Sequence, residues 1–425
     1  MKVEKIQAIE ILDSRGNPTI ECHLTIDGFE GEFGVPSGAS TGIHEALELR
    51  DNDEKRYLGF GVLKAVKNVN QIFAPQLINK DFSNQEEFDN YLIKLDNSEN
   101  KTNLGANTIL GLSFAFARAN SQIEKLPFFL SLQKVYQSLG GQKNILTKNS
   151  LPNPSFNIIN GGKHGQNGID FQEFMICPKG LNSFQEKLRA GAEIFHHLKQ
   201  ILKKNNFSIG VGDEGGFSPP LNSNTKALDL ISQAIQKAGY QLGKDIFFIL
   251  DPAASEFYHN QQKTYQLKIN NQFQMFNSEA MINFWENLAN QYPIIGLEDG
   301  LAEDDWSGWI NLTKKLGQKI KLIGDDLLVT NKKRLQQAIT QNACNAILIK
   351  PNQIGSLTET LQTIILAQQN NFTVMISHRS GETIDTSIAD LAVAVNADYI
   401  KSGSLSRGER IAKYNRLLKI ETILS

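Results

Sequence analysis

The sequence predicts an α/β protein in which a small N-terminal α+β domain precedes a C-terminal (β/α)8-type barrel. Three observations support this fold class. The first 120 residues contain one run in which apolar and polar residues alternate and two segments with helical periodicity. Short, fully apolar runs recur after residue 150, and each of those runs ends in a polar residue. Fully apolar runs are typical of strands buried on both faces, as they are in parallel sheets.

The N-terminal part carries a hairpin signal followed by two helical segments. Apolar and polar side chains alternate from residue 20 to 26, and Asp27-Gly28 separates this run from the next, which predicts two paired strands with one buried face. Residues 62–73 have helical periodicity, and we expect Pro75 to end that helix. Residues 104–119 are apolar on most of a helical circumference, which predicts a helix buried between other elements.

The glycine-containing stretch at residues 140–144 is the best candidate for a domain boundary, so we predict an N-terminal domain of residues 1–140 and a barrel domain of residues 141–425. In the barrel domain, the strand-ending residues from Glu298 onward follow one another at intervals of 23 to 28 residues, enough for a strand, a loop and a crossover helix. Parallel strands in a barrel end at one mouth, where such enzymes keep their chemistry. The residues expected to converge there are Asp251, Glu298, Asp325, Lys350, Ser377-His378 and Lys401.

Composition and charge exclude several classes of protein. The 43 basic and 45 acidic residues leave a net charge of −2, so no overall field favours nucleic acid or an anionic membrane. The chain has no apolar run of membrane length and no secretory signal after Met1, so we expect a cytoplasmic protein. Cys22, Cys177 and Cys344 are widely separated, which favours buried thiols over disulfides or a zinc cluster.

Three acids at one barrel mouth favour a metal site. Carboxylates that share a partly dry site repel one another, so they must either take up protons or share a cation. Oxygen ligands without histidine or cysteine suit Mg²⁺ or a similar hard ion. A single acid of this kind would more often be a solvated loop residue or a helix cap, but Asp251, Glu298 and Asp325 occupy successive strand ends.

Lys350 follows a fully apolar run, so it must be paired or functional. Nearby metal ions and Lys401 would push it toward the neutral form that a general base needs, while the carboxylates oppose that shift. The alternative is a salt bridge to Asp325 or Glu298, and we favour the base over the salt bridge.

Three loops add candidate ligands. Glu214 lies between glycines, where a side chain can project into a cleft, although such acids are often only turn residues. Arg379 and Ser380 offer a guanidinium and a hydroxyl for a phosphate or carboxylate, with a capped loop as an equal alternative. His164 lies in a glycine-rich loop able to close over a site, but a lone loop histidine usually has no such role.

Many segments together resemble the enolase family, in order and over essentially the whole chain. They are residues 12–19 (LDSRGNPT), 35–42 (VPSGASTG), 160–162 (NGG), 172–175 (QEFM), 211–217 (VGDEGGF), 253–258 (AASEFY), 298–299 (ED), 324–327 (GDDL), 350–355 (KPNQIG) and 377–383 (SHRSGET). The resemblance implies that the barrel starts in an atypical ββαα order, with one antiparallel strand and an early pair of helices. It also implies reversible dehydration of 2-phospho-D-glycerate to phosphoenolpyruvate.

The resemblance further implies two Mg²⁺ ions per active site, the second arriving with substrate. Asp251, Glu298 and Asp325 would hold the first ion, and Ser40, on a mobile N-terminal loop, would join the second. Removing a proton next to a carboxylate leaves a doubly charged enediolate that a neutral site could not tolerate, so this charge is needed. The implied catalytic residues are Lys350, Glu214, Glu173 and His378, and the implied substrate-binding residues are Gln172, His164, Arg379, Ser380 and Lys401.

The resemblance implies a homodimer or an octamer, and the charge balance and the lack of a long apolar run predict neither direct nucleic-acid binding nor membrane insertion. It leaves two alternatives for function. One is another member of the wider superfamily that abstracts protons from a non-phosphorylated acid. The other is an additional binding role, in an RNA-degrading assembly or toward host proteins, with the chain at the cell surface or secreted without a signal peptide.

Overall fold

A computed structural model describes residues 1–38, 44–143, 146–165, 168–269 and 272–425. The chain begins with an antiparallel sheet of β1 (Val3–Leu12), β2 (Pro18–Ile26) and β3 (Phe29–Gly34). Asp27 and Gly28 both have positive φ angles, of 47° and 81°, as the tight turn of a two-residue hairpin requires. The alternating residues of β2 point their apolar side chains into the core, so the predicted hairpin is confirmed.

In the described residues of this part of the chain, five α-helices follow: α1 (Leu63–Asn68), α2 (Ala74–Leu77), α3 (Gln85–Asp96), α4 (Ala106–Ile123) and α5 (Phe128–Ser138). One π-helical turn, Val69–Phe73, joins α1 to α2, so the prediction that Pro75 ends the helix was wrong. Pro75 lies in the first turn of α2, where a missing N–H is tolerated. Helix α4 packs against β2 and β3 and is buried on nearly all sides, as predicted.

The remaining elements form the barrel and the segments around it. They are β4 (Asn153–Asn160), α6 (Gly162–Gly165), β5 (Glu173–Cys177), α7 (Phe184–Lys204), α8 (Asn224–Lys237), β6 (Phe247–Asp251), β7 (Tyr258–His259), β8 (Thr264–Ile269), β9 (Gln272–Phe276), α9 (Ser278–Gln291), β10 (Ile294–Glu298), α10 (Trp306–Leu316), β11 (Lys321–Gly324), α11 (Lys332–Gln341), β12 (Ala346–Ile349), α12 (Pro351–Ile354), α13 (Leu357–Gln369), β13 (Thr373–Ser377), α14 (Ser387–Ala394), β14 (Tyr399–Lys401) and α15 (Gly408–Leu424).

Eight strands close the barrel in the order β10-β11-β12-β13-β14-β4-β5-β6. Strand β5 runs antiparallel to both β4 and β6, and the other neighbours pair in parallel. Helices α7 and α8 follow β5 before β6 begins, so the predicted ββαα start is confirmed. Strands β7, β8 and β9 form a separate small sheet that the sequence analysis did not anticipate.

The barrel interior is a packed core. Inward side chains such as Met175, Ile249, Leu348 and Met375 are at most 1% exposed and fill it. This packing leaves the strand ends as the place for a site. None of the helices in the described ranges is long and apolar enough to cross a membrane.

The N-terminal part reaches the barrel mouth through main-chain contacts. Ser37 and Gly381 pair like residues of neighbouring strands, with N–H to O distances of 2.8 and 2.9 Å. The Ala46 N–H donates to the carbonyl oxygen of Gln353 at 2.8 Å. These contacts lie on both sides of residues 39–43, so the N-terminal domain is tied to the same end of the barrel as the predicted site.

Candidate active site

The predicted strand-end residues lie together at one end of the barrel. Asp251, Glu298 and Lys401 are the last residues of β6, β10 and β14, and Asp325 and Lys350 directly follow β11 and β12. All of these strands run in the same direction, so their carboxyl ends share one mouth.

Lys401 joins three buried carboxylates at the centre of the mouth. Its Nζ lies 2.6 and 2.8 Å from the two carboxylate oxygens of Glu298, 3.1 Å from Glu173 Oε2 and 3.6 Å from Asp251 Oδ2. Burial disfavours the lysine cation, but these carboxylates outweigh it and hold the pKa of Lys401 well above its usual value. Lys401 is therefore a fixed positive charge.

The acids around Lys401 are crowded. Burial, reinforced by the neighbouring carboxylate of Asp251, raises the pKa of Glu298 well above its usual value. Burial also raises the pKa of Asp251, against the opposing effect of Lys401. Both acids are at most 3% exposed, so solvent does little to screen their repulsion.

Lys350 forms an ion pair with Asp325, and its ammonium group contacts Asp325 Oδ2. Burial lowers the pKa of Lys350, but the Asp325 carboxylate outweighs that effect and raises it above the usual value. The salt bridge to Asp325, one of the two alternatives that the sequence leaves open, is therefore present, and the role of Lys350 as a neutral base beside bound metal ions stays a prediction.

Glu214 and His378 form a second group at the mouth. Asn157 Nδ2 donates to Glu214 Oε2 at 2.9 Å, and His378 Nε2 lies 3.7 Å from Glu214 Oε1. Arg410 Nη1, which can only donate, lies 2.5 Å from His378 Nδ1. Burial and the Arg410 charge lower the pKa of His378 well below its usual value, so the ring is neutral, and its Nε2 also lies 3.3 Å from the Gly403 N–H nitrogen.

Arg379 and Ser380, the predicted anion clamp, both line the cavity at the mouth. Arg379 Nη1 donates to Glu45 Oε2 at 3.0 Å and to Asn352 Oδ1 at 2.9 Å. Ser380 Oγ accepts a hydrogen bond from Arg15 Nη1 at 3.3 Å, which adds a second guanidinium that the sequence analysis did not select. Both clamp residues are largely buried, so an anion held there would be shielded from water.

The other predicted ligands are placed as follows. Gln172 Nε2 donates to Asp251 Oδ2 at 3.3 Å, so its side chain reaches the mouth. His164 lies on α6, but its side chain is outside the part of the chain that the structure describes, as is all of Ser40.

The charges at the mouth fit a divalent cation. Among the described residues, eight carboxylates but only three cations line the cavity. Two sets of these groups have ligand atoms within 4.8 Å of one another: Asp299 with Asp325 and Asp326, and Glu173 with Glu214 and His378. Of the predicted metal ligands that the structure describes, only Asp325 belongs to either set, and Lys401 contacts both carboxylate oxygens of Glu298.

The sequence analysis missed several residues at this site. Asp299 and Asp326 directly follow two predicted ligands, and this adjacency was an available signal. Asp299 accepts the main-chain N–H groups of Asp325 and Asp326 at 3.0 and 2.8 Å, and burial together with Asp325 raises the pKa of Asp326 to about 7. Glu45 and Arg410 come from distant segments, and no local pattern marks them.

Comparison with known proteins gives a consistent result. A family model described as the enolase N-terminal domain matches residues 3–132, and one described as the enolase C-terminal TIM barrel domain matches residues 148–425. The chain is 52% identical over 425 residues to Enolase 1 of Chlorobaculum tepidum, in an alignment that covers 100% of this chain and 96% of that relative. The predicted division between residues 140 and 141 lies in the segment that neither model matches, and it stays a prediction.

Proposed function

We propose catalytic roles for residues at the barrel mouth, on the premise that the chain belongs to the enolase family and has phosphopyruvate hydratase activity. In this proposal one residue abstracts a proton and another promotes the loss of hydroxide. The reaction interconverts 2-phospho-D-glycerate and phosphoenolpyruvate, and it belongs to glycolysis. The observation that carries the proposal is the meeting of Lys350, Glu214 and a buried excess of carboxylates at one mouth.

Lys350 is the proposed base. Its Nζ takes the proton from C2 of 2-phosphoglycerate, and the electron pair moves into the substrate carboxylate to give an enediolate. Glu214 then donates a proton to the C3 hydroxyl, the C3–O bond breaks, and water leaves as the double bond of phosphoenolpyruvate forms. Asn157 donates a hydrogen bond to the Glu214 carboxyl group, and the neutral His378 ring faces it. Glu173 adds a second acid beside Glu214.

A divalent cation is implied by the family, and we propose that it is Mg²⁺, with two ions per site. Asp251, Glu298 and Asp325 would hold the first ion, and Ser40 would join the second. When bound, the cations supply positive charge that stabilises the enediolate and offsets the carboxylates that now keep the proton on Lys350.

The substrate phosphate would bind Arg379 and Ser380, in exchange for the Glu45 and Arg15 contacts that these side chains now make. Gln172, His164 and Lys401 would line the rest of the substrate site. Activity on a non-phosphorylated acid, without activity on 2-phosphoglycerate, would favour the wider-superfamily alternative instead.

The test follows phosphoenolpyruvate formation by absorbance, with Mg²⁺ and with EDTA, for Lys350→Ala and Glu214→Gln. We expect each variant to lose roughly 10²- to 10⁴-fold in kcat, the usual contribution of a general acid or base. Lys314→Ala and Glu279→Gln are matched controls, because both side chains are exposed and lie away from the mouth. Near-normal turnover in either test variant would refute the role given to that residue.

Glu214→Gln also separates the two steps. If Lys350 is the base, the C2 proton of 2-phosphoglycerate should still exchange with deuterated solvent in Glu214→Gln, while Lys350→Ala should abolish the exchange. The exchange is measured by NMR of recovered substrate.

We further propose a cytoplasmic homodimer, with an octamer as the alternative. Leu12 and Ile384 are 55% and 83% exposed and border one surface cavity, which supports a covered apolar surface. Light scattering coupled to gel filtration distinguishes a monomer, a dimer and an octamer.

A further inference from the structure

We propose that Gln353 and Thr330 are positioning residues that hold the Asp325 carboxylate and the Lys350 main chain in their working positions. This inference rests on the roles proposed above for Asp325 and Lys350. Neither residue reacts with substrate, and both act through the groups that they hold.

Gln353 lies between two carboxylates. Its Nε2 donates to Asp325 Oδ1 at 3.1 Å and to Glu45 Oε1 at 3.3 Å, and its side chain is 1% exposed. Carboxylates accept hydrogen bonds, so the amide nitrogen must face them, and the orientation of this amide is fixed by chemistry. A neutral donor orients Asp325 while leaving its full negative charge available to a cation.

Thr330 extends the same chain of hydrogen bonds to Lys350. The Lys350 N–H donates to Thr330 Oγ1 at 2.9 Å, and the Thr330 hydroxyl donates to Gln353 Oε1 at 2.8 Å. The Gln353 N–H in turn donates to the Lys350 carbonyl oxygen at 2.9 Å, because both residues belong to the turn that begins α12. The Lys350 main chain is therefore held on both sides.

The backbone at Thr330 is strained. Val329 and Thr330 have φ angles of 43° and 54°, and both are fully buried. Left-handed backbone is a real outlier for β-branched residues, and such strain persists only where the surrounding structure enforces it. Here the strained turn follows Asp325 closely and directs the Thr330 hydroxyl to the two groups that need it.

Gln353 also links the barrel to the N-terminal domain. Its side chain holds Glu45, which pairs with Arg379, and its carbonyl oxygen accepts the Ala46 N–H. One residue thus connects the proposed metal ligand, the segment that follows residues 39–43 and, through Glu45, the proposed phosphate ligand.

The experiment measures Mg²⁺ binding without substrate by calorimetry, together with kcat and KM. In Gln353→Met, Asp325 loses a donor at little change in volume, so we expect Mg²⁺ affinity to fall roughly 10- to 100-fold, as for other residues that support a metal ligand. Gln362→Met is the matched control. Gln362 is half-buried on the neighbouring helix α13 and, among the described residues, makes no hydrogen bond to Asp325, Glu45 or Thr330. The Mg²⁺ affinity of Gln362→Met should therefore stay within about twofold of the parent.

Thr330→Val and Thr330→Ser test the other end of the chain. Valine keeps the shape and removes the hydroxyl, so we expect kcat to fall roughly 3- to 10-fold, the equivalent of one net hydrogen bond, with KM little changed. Serine keeps the hydroxyl and should restore kcat. Circular dichroism and urea unfolding show whether each variant is folded, and Thr330→Val decides the matter alone if Gln353→Met does not fold.

Asp325→Asn separates failure of this inference from failure of the proposed metal site. If Asp325→Asn weakens Mg²⁺ binding while Gln353→Met and Thr330→Val behave like the parent, the positioning role is wrong and the metal site stands. If Asp325→Asn binds Mg²⁺ like the parent, the metal site is misassigned and the positioning role is overturned with it.

Discussion

Replacing Lys401 with methionine removes the cation that joins the buried acids at the mouth. Its Nζ lies within 3.1 Å of Glu298 and Glu173, and all three side chains are at most 2% exposed. Breaking a buried ion pair from one side costs about 3–5 kcal/mol, because a charge is left without its partner. We therefore expect Lys401→Met to lower the free energy of unfolding by about that amount in EDTA at neutral pH.

The loss should depend on pH and on metal. Burial and Asp251 raise the pKa of Glu298 in the folded state. A carboxyl group whose pKa is raised by folding adds to the free energy of unfolding, and this contribution is fully present below its ordinary pKa, near 4.5. The contribution is lost as the pH rises through the pKa of the folded state. Without Lys401 this effect grows, so the variant should lose more stability than the parent as the pH rises above 4.5.

Mg²⁺ should narrow the difference between the variant and the parent, because a bound cation offsets the same carboxylates. The assay is urea unfolding followed by tryptophan fluorescence and by circular dichroism, in EDTA and in saturating Mg²⁺, with Lys314→Met as the exposed control. A loss below about 1 kcal/mol, or an equal loss with and without Mg²⁺, would refute the electrostatic account of the mouth.

Two further predictions concern stability. His378 has a folded-state pKa well below its ordinary value of 6.5, so the free energy of unfolding should fall by about 1.4 kcal/mol per pH unit as the pH drops below 6.5. His378→Gln should make this pH dependence shallower in urea unfolding. An unchanged slope would contradict the buried neutral ring. A Cβ on Gly31 would lie 2.0 Å from the Ala115 carbonyl oxygen, so Gly31→Ala should cost about 1–3 kcal/mol or more in urea unfolding. Gly408→Ala, with no heavy atom within 4 Å of the added carbon, should be nearly neutral, and equal effects at the two glycines would contradict the close packing of β3 on α4.

The barrel and its mouth could be predicted because their signals are local and repeated. Each strand is a short apolar run, and each ends in a polar residue at a regular interval, so one rule placed Asp251, Glu298, Asp325, Lys350 and Lys401 at the same end. The rule holds because parallel strands in a barrel share one direction, so the residues that end these strands lie at the same end of the barrel.

Contacts between distant segments could not be predicted in this way. Glu45 reaches Arg379 from the N-terminal domain, and Arg410 reaches His378 from α15. No period in the sequence relates these residues, because their proximity depends on how the domain and the last helix pack against the closed barrel. The π-helical turn before Pro75 is a similar case, since its backbone departs from the regular helix that periodicity assumes.

The protonation of Lys350 shows why the position of a residue does not determine its chemistry. The strand-end rule placed Lys350 in a buried cluster of acids, and burial alone would favour a neutral amine. The Asp325 carboxylate outweighs burial and keeps the proton on Lys350. Under the proposed roles, Asp325 is also a ligand of the cation. The same carboxylate then both stabilises the protonated form of Lys350 and binds the metal. Metal binding and the base strength of Lys350 are then linked, and the apparent pKa of Lys350 should fall as the Mg²⁺ concentration rises.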